Sequence, residues 1–175
     1  MICRKNVFIM IAAILIFSSC MGAKSGARKS GASLYETFFV GSEGILYFIK
    51  PLSFVGTDND ELLADFTFRY KDQIKDSVVC NFSIISNEKR KMVDEVLLTA
   101  NDMSLKCENI ILLFNDKKGN QFISRFSGQL LFADFIKLFN TGNFNIEVDN
   151  KVYKMSSKTQ QSVEKLKEKV FVLFD

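Results

Sequence analysis

Residues 64–70 read Ala-Asp-Phe-Thr-Phe-Arg-Tyr, apolar and polar by turns, the period-two pattern of a strand with one face in a core. Past a polar turn over 71–76, Val78, Cys80, Phe82 and Ile84 repeat the pattern, so the two segments are predicted to form a hairpin. Upstream, 35–40 and 45–50 flank Gly41-Ser42-Glu43-Gly44, a second hairpin. Pro51, with no N–H to give to a ladder, is expected to end that strand. Downstream, strands are expected over 93–99, over 105–114 and, after a turn at 115–120, over 121–126. Phe144, Ile146 and Val148 alternate with Asn145, Glu147 and Asp149. Asp149-Asn150, a pair that tolerates left-handed backbone, then turns the chain into a last strand over 151–155.

Two segments change to helical period. Within 128–140, Leu131, Phe132, Phe135, Ile136 and Phe139 share one stripe, with Asp134 and Lys137 opposite. Within 157–174, Val163, Leu166 and Val170 form a narrower stripe among charged residues. The expected fold class is α+β and β-dominated. It consists of an antiparallel sheet or sandwich of up to nine strands with two amphipathic helices in the C-terminal half, each packed on the sheet. Aromatic stripes of this kind are ordinarily core.

The N-terminal segment differs from all of this. Arg4 and Lys5 precede residues 7–17, an uncharged apolar run too short to span a bilayer, and Ser18-Ser19-Cys20 follows. A basic start, a short apolar run and small residues describe an export signal over 1–19. The Ser-Ser-Cys end resembles the lipobox of bacterial lipoproteins, in the relaxed form found in spirochaetes, since Phe17 stands where the strict pattern has Leu. The resemblance is limited to residues 1–20. It implies that Cys20 carries a diacylglyceryl group, and hence attachment to the cell envelope through a bacterial membrane, the outer membrane being favoured. Residues 20–33 are small and basic, without the apolar surface needed to order themselves, and read as a flexible tether with a reach of roughly 20 Å. Residues 34–175 form the single globular domain.

Composition narrows the chemistry. Of the 23 Lys and Arg, Arg4 and Lys5 fall in the signal, which leaves the remainder nearly balanced against 20 Asp and Glu, with no nucleic-acid footprint. Histidine is absent, so neither a Ser-His-Asp nor a Cys-His arrangement can form. No phosphate-loop, dinucleotide, nucleophile-elbow or EF-hand spacing occurs, and neither an enzyme nor a cofactor or metal site is expected. Asp58-Asn59-Asp60-Glu61 lacks alternating ligand spacing and reads as an acidic loop. Cys80 and Cys107, both on apolar strand faces, are either a disulfide or two buried thiols; a bond would close a loop of about 28 residues, roughly 3.5 kcal/mol in chain-entropy terms. Lys89-Arg90-Lys91 is the densest basic cluster of the domain and the candidate for a weak contact with anionic ligands. These features favour a lipid-anchored, non-catalytic module that binds a protein or glycan partner. A carrier of a small apolar ligand in a Phe-rich cavity and a structural periplasmic factor are the alternatives.

Overall fold

Alternation predicts pairing, and in the computed structural model, which describes residues 33–57, 60–71 and 77–174, the pairing is antiparallel throughout. The signal, Cys20 and most of the tether lie outside the described residues, as do Asp58, Asn59 and 72–76. The folded unit is Ser33–Asp175. Its strands are β1 (Tyr35–Phe39), β2 (Ile45–Val55), β3 (Glu61–Tyr70), β4 (Ser77–Ser86), β5 (Val96–Ala100), β6 (Met103–Lys106), β7 (Glu108–Lys118), β8 (Gln121–Leu131), β9 (Asn145–Val148) and β10 (Lys151–Met155). Helices α1 (Phe132–Asn140) and α2 (Ser157–Lys169) complete it, with short 3-10 turns at Gly41–Glu43 and Phe171–Leu173.

The order across the sheet is β6-β5-β9-β10-β2-β3-β4-β8-β7, with β1 alongside β2. Its first and last strands, β6 and β7, are consecutive in the chain, separated by Cys107 alone. The Cys107 amide donates to the Val96 carbonyl at 2.9 Å, while Glu108 already pairs with Gln129 of β8. A single bent strand therefore serves both ends, and the sheet nearly closes into a barrel-like sandwich. The bend is also why the predicted strand over 105–114 divides in two. Asn109, at φ 53, sits in the left-handed region just past it.

Pro51 does not end its strand: β2 runs through it to Val55. β1 pairs with Ile45 to Ile49 and β10 with Phe54 and Val55, so the proline falls in the gap between two neighbours, where no partner needs its N–H. On the other side the register with β3 shifts between Ile49 and Leu52. Thr159 of α2 fills the gap. Its Oγ1 accepts from the Ser53 amide at 3.1 Å and donates to the Ser53 carbonyl at 2.6 Å, standing in for a missing strand. Ser156 caps the same helix, accepting from the Thr159 amide.

The predicted helix over 128–140 begins at Phe132, because Gly128 to Leu131 pair with Ser77 to Cys80 of β4 and are strand. Of its stripe, Leu131 falls on β8 and is exposed, whereas the rest packs on the core as expected: Phe135 and Phe139 lie 4.6 Å apart, centroid to centroid, and meet Phe66 of β3 at 5.1 and 5.4 Å and Phe171 at 5.6 and 4.8 Å. Phe54, Phe68, Phe132, Phe144 and Phe174 extend this ring-on-ring packing. Tilted and edge-on pairs at these distances contribute about 0.5–1.5 kcal/mol each beyond area burial. The phenylalanines of the interior thus fill it with one another.

Candidate functional site

At the edge of this core, three segments far apart in sequence meet around a polar cleft of about 520 Å³. Asp60 comes from the loop before β3 and Lys151 from the start of β10; Ser86, Asn87, Glu88, Lys89 and Arg90 come from the end of β4 and the connection to β5. The connection has no regular secondary structure, yet hydrogen bonds fix it at several points. Ser86 Oγ donates to the Glu88 carbonyl at 2.7 Å, closing the first turn. The Arg90 amide donates to Ser124 Oγ at 3.1 Å, and Ser124 Oγ donates in turn to Asn115 Oδ1 at 2.6 Å. Asp149, left-handed at φ 47 in the two-residue turn after β9, accepts from the amides of Asp94 and Glu95 at 2.9 and 3.1 Å. Its other oxygen lies 3.6 Å from the Arg90 guanidinium.

The opposite wall is tighter. Lys151 Nζ contacts Asp60 Oδ2 at 2.7 Å, an ion pair with both partners mostly shielded from water. The ammonium also lies over the Tyr153 ring, 6.0 Å from its centroid. Gly56 packs flat on that ring and donates its amide to the Asp60 carbonyl at 2.9 Å. Tyr153 is fully buried and its hydroxyl has no hydrogen bond of normal geometry. Burial raises its pKa above 10.0; Arg90 and Lys151 pull the other way, and Asp60 reinforces the rise. The phenol therefore stays protonated as an O–H donor beside Asp60, Arg90 and Lys151, three of the charged residues that line the cleft.

Of the predicted basic cluster, Lys89 and Arg90 reach the cleft, whereas Lys91 is exposed and outside its lining. Arg90 and Lys151 have carboxylate neighbours, Asp149 and Asp60. Lys89 is exposed and, among the described residues, has no ion pair. The arrangement offers ammonium, guanidinium, amide and hydroxyl donors interleaved with the Asp60 and Glu88 carboxylates. That set suits a polar group carrying both an anion and hydroxyls, held by charge-assisted hydrogen bonds. Among the described residues no group of three or more Cys, Asp or Glu is arranged to hold a metal ion. In the predicted acidic loop, Asp60 is committed to Lys151, and Glu61 accepts from Ser53 Oγ at 2.7 Å.

Sequence pattern did not place Asp60, Lys151 or Tyr153 at a common site. The only signal was the Asp149-Asn150 turn, whose strand partners, β9 and β10, bring Lys151 forward. A second charged cluster is structural. Asp65, buried on β3, accepts from Asn81 Nδ2 at 2.8 Å and from Arg125 at 2.7 Å, and Arg125 also donates to Ser83 Oγ. All its members are mutually satisfied across three neighbouring strands.

Cys80 and Cys107 are brought together. Cys80 pairs in register with Gly128 of β8, and a Cβ on that glycine would lie 3.3 Å from Cys107 Cβ. The missing side chain thus leaves room for the two cysteines to meet across the intervening strand. Both are buried thiols. Burial pushes the Cys80 thiol well above its ordinary 9.0, and the adjoining Cys107 and the Asp65 charge add to the rise. No helix among the described residues is long and apolar enough to cross a membrane. No family model, curated protein or solved structure matches the chain.

Proposed function

We propose that this is a lipid-anchored protein of the bacterial cell envelope whose β domain binds, without catalysis, an acidic group on a protein or glycan partner. The observation that carries the binding half is the cleft. Residues from positions 60, 86–90 and 151 converge there, and hydrogen bonds to Ser124 and Asp149 hold its irregular loop in place. A surface turn with no role beyond solvation has no need of such anchoring. The anchoring half rests on the basic start, the apolar run and Ser18-Ser19-Cys20. Burial of about 0.8 kcal/mol per CH₂ makes two acyl chains sufficient for stable attachment. The carrier alternative draws less support, since the Phe side chains of the interior are packed on one another.

Two measurements test the reading separately. Metabolic labelling with a palmitate analogue should mark the wild type and not Cys20→Ala; absence of label from both refutes the anchor. For the cleft, binding to an immobilised uronate-containing polysaccharide should fall about tenfold in Lys89→Glu, with neutral dextran as the control. A polysaccharide that binds equally well to both forms, or to neither, overturns the assignment.

A further inference from the structure

β7 carries an unusual edge. It pairs with β8 on one side, and among the described residues no strand pairs with it on the other. Along it Ile111, Leu112, Leu113 and Phe114 are 57, 40, 47 and 48% exposed, four large apolar residues in succession. Single exposed apolar side chains are common, but a run of four on an open edge is a pairing surface. Register shifts against β8, between Glu108 and Ile111 and between Leu112 and Phe114, leave Leu113 without a partner there. They add twist without covering the apolar centre.

The charges on the strand select what can cover it. β7 reads Glu-Asn-Ile-Ile-Leu-Leu-Phe-Asn-Asp-Lys-Lys, with Glu108 at its start and Lys117 and Lys118 at its end. A second copy laid antiparallel about a two-fold axis at Leu113 sets Glu108 opposite Lys118 of the other copy, twice. Leu112 then faces Phe114 twice, and Leu113 faces itself. Parallel stacking instead sets Glu108 on Glu108 and Lys118 on Lys118, and like charges directly opposite are destabilising. The two-fold contact is also closed: each copy's edge is consumed by the other, so the contact does not propagate. We infer that the domain self-associates through β7, antiparallel and in this register. The inference is independent of what the cleft binds and of the anchor.

The unit Ser33–Asp175 contains every residue of the core and omits Cys3 and Cys20, so it is the form to use. Sedimentation should show a concentration-dependent dimer. Residues directly opposite in an antiparallel pair have Cα atoms about 4.5–5.5 Å apart, within disulfide range. With a diamide oxidant, Leu113→Cys should therefore give a covalent dimer on a non-reducing gel. Ile111→Cys should not, because the two cysteines lie four residues apart along the strands, roughly 13 Å. Glu108→Lys and Lys118→Glu should each raise the dimer dissociation constant about tenfold, each substitution acting twice, and the two together should restore it. Leu113 is exposed and unpaired with β8, so its replacement spares the fold, which circular dichroism verifies. A monomer at all concentrations overturns the inference, as does a cross-link that peaks away from position 113 or a double swap that fails to rescue. Protection of the β7 amides from hydrogen exchange only in the full chain assigns the edge to residues 1–32 and also overturns it.

Discussion

Gly56 gives the sharpest test of how rigidly the wall of the cleft is built. A Cβ placed on it would lie 2.8 and 2.9 Å from Cε1 and Cδ1 of Tyr153 and 3.3 Å from the Asp60 carbonyl oxygen. Carbon atoms ordinarily approach to about 3.5 Å, so the added methyl overlaps two ring atoms by roughly 0.6 Å. The ring is fully buried, and a backbone carbonyl closes the other side, so neither neighbour can simply step away. Overpacking of this kind costs about 1–3 kcal/mol. Taking about 2 kcal/mol, Gly56→Ala should lower the melting temperature of Ser33–Asp175 by about 6–8 °C, read by circular dichroism. Gly119 is the contrasting case. A Cβ added there would meet nothing within 4 Å, but its φ is +63, so only backbone conformation opposes a side chain. Because Asn tolerates left-handed backbone and is larger than Ala, the two glycines should respond with opposite rank. At Gly119, Asn should be milder than Ala; at Gly56, Asn should be worse than Ala. A loss below about 0.5 kcal/mol for Gly56→Ala, or the same rank at both positions, would refute the close packing of Gly56 on Tyr153.

Thr159→Val keeps shape and removes the hydroxyl that serves the Ser53 amide and carbonyl; leaving both unmatched should cost about 2 kcal/mol, measured by urea unfolding. Asp149→Ala removes the acceptor for two amides and the neighbour of Arg90, so it should destabilise by about 1–2 kcal/mol and speed hydrogen exchange at Asp94 and Glu95. Cys80 predicts a pH dependence. Its pKa is raised in the folded state, so its contribution is fully present below the unfolded value near 9.0 and is lost as pH rises above it. Melting temperature should therefore fall from about pH 9 upward, and Cys80→Ala should flatten the first part of that fall. Burial also raises Tyr47 and Tyr153, so a steeper decline should persist in the variant above their ordinary 10.0.

Period two was enough to place most strands. In β3 and β4 the buried residues Leu62, Ala64, Phe66 and Phe68, and Val78, Cys80, Phe82 and Ile84, stand at every second position, and their hairpin follows. Pattern failed where a neighbour outside the local window decided the outcome. Pro51 continues its strand because β1 stops short of it and β10 starts beyond it, an arrangement set by residues about a hundred positions apart. Gly128 to Leu131 carry part of a helical stripe yet belong to β8, because β4 offers them backbone partners. The cleft failed to show for the same reason. Lys89 and Arg90 stood out as a charge cluster and Asp60 as part of an acidic run, but nothing local joins either to Lys151 or Tyr153, and only the β2–β10 pairing and the Gly56 loop set Asp60, Lys151 and Tyr153 side by side.

The same topology ties the cleft to the open edge. Arg90 is held through its amide by Ser124 on β8, and Ser124 is held by Asn115, one residue beyond the exposed apolar run of β7. Asn115 pairs in register with Ser124, so the link crosses one strand pair and needs no moving part. Covering β7 with a second copy would restrain Asn115, and that restraint would pass to the backbone of the cleft loop through two successive hydrogen bonds. Ser124→Ala breaks the link without touching either surface. It should leave dimerisation unchanged while making hydrogen exchange at Arg90 independent of protein concentration. If exchange at Arg90 in the wild type already shows no dependence on concentration while the dimer forms, the edge and the cleft act separately.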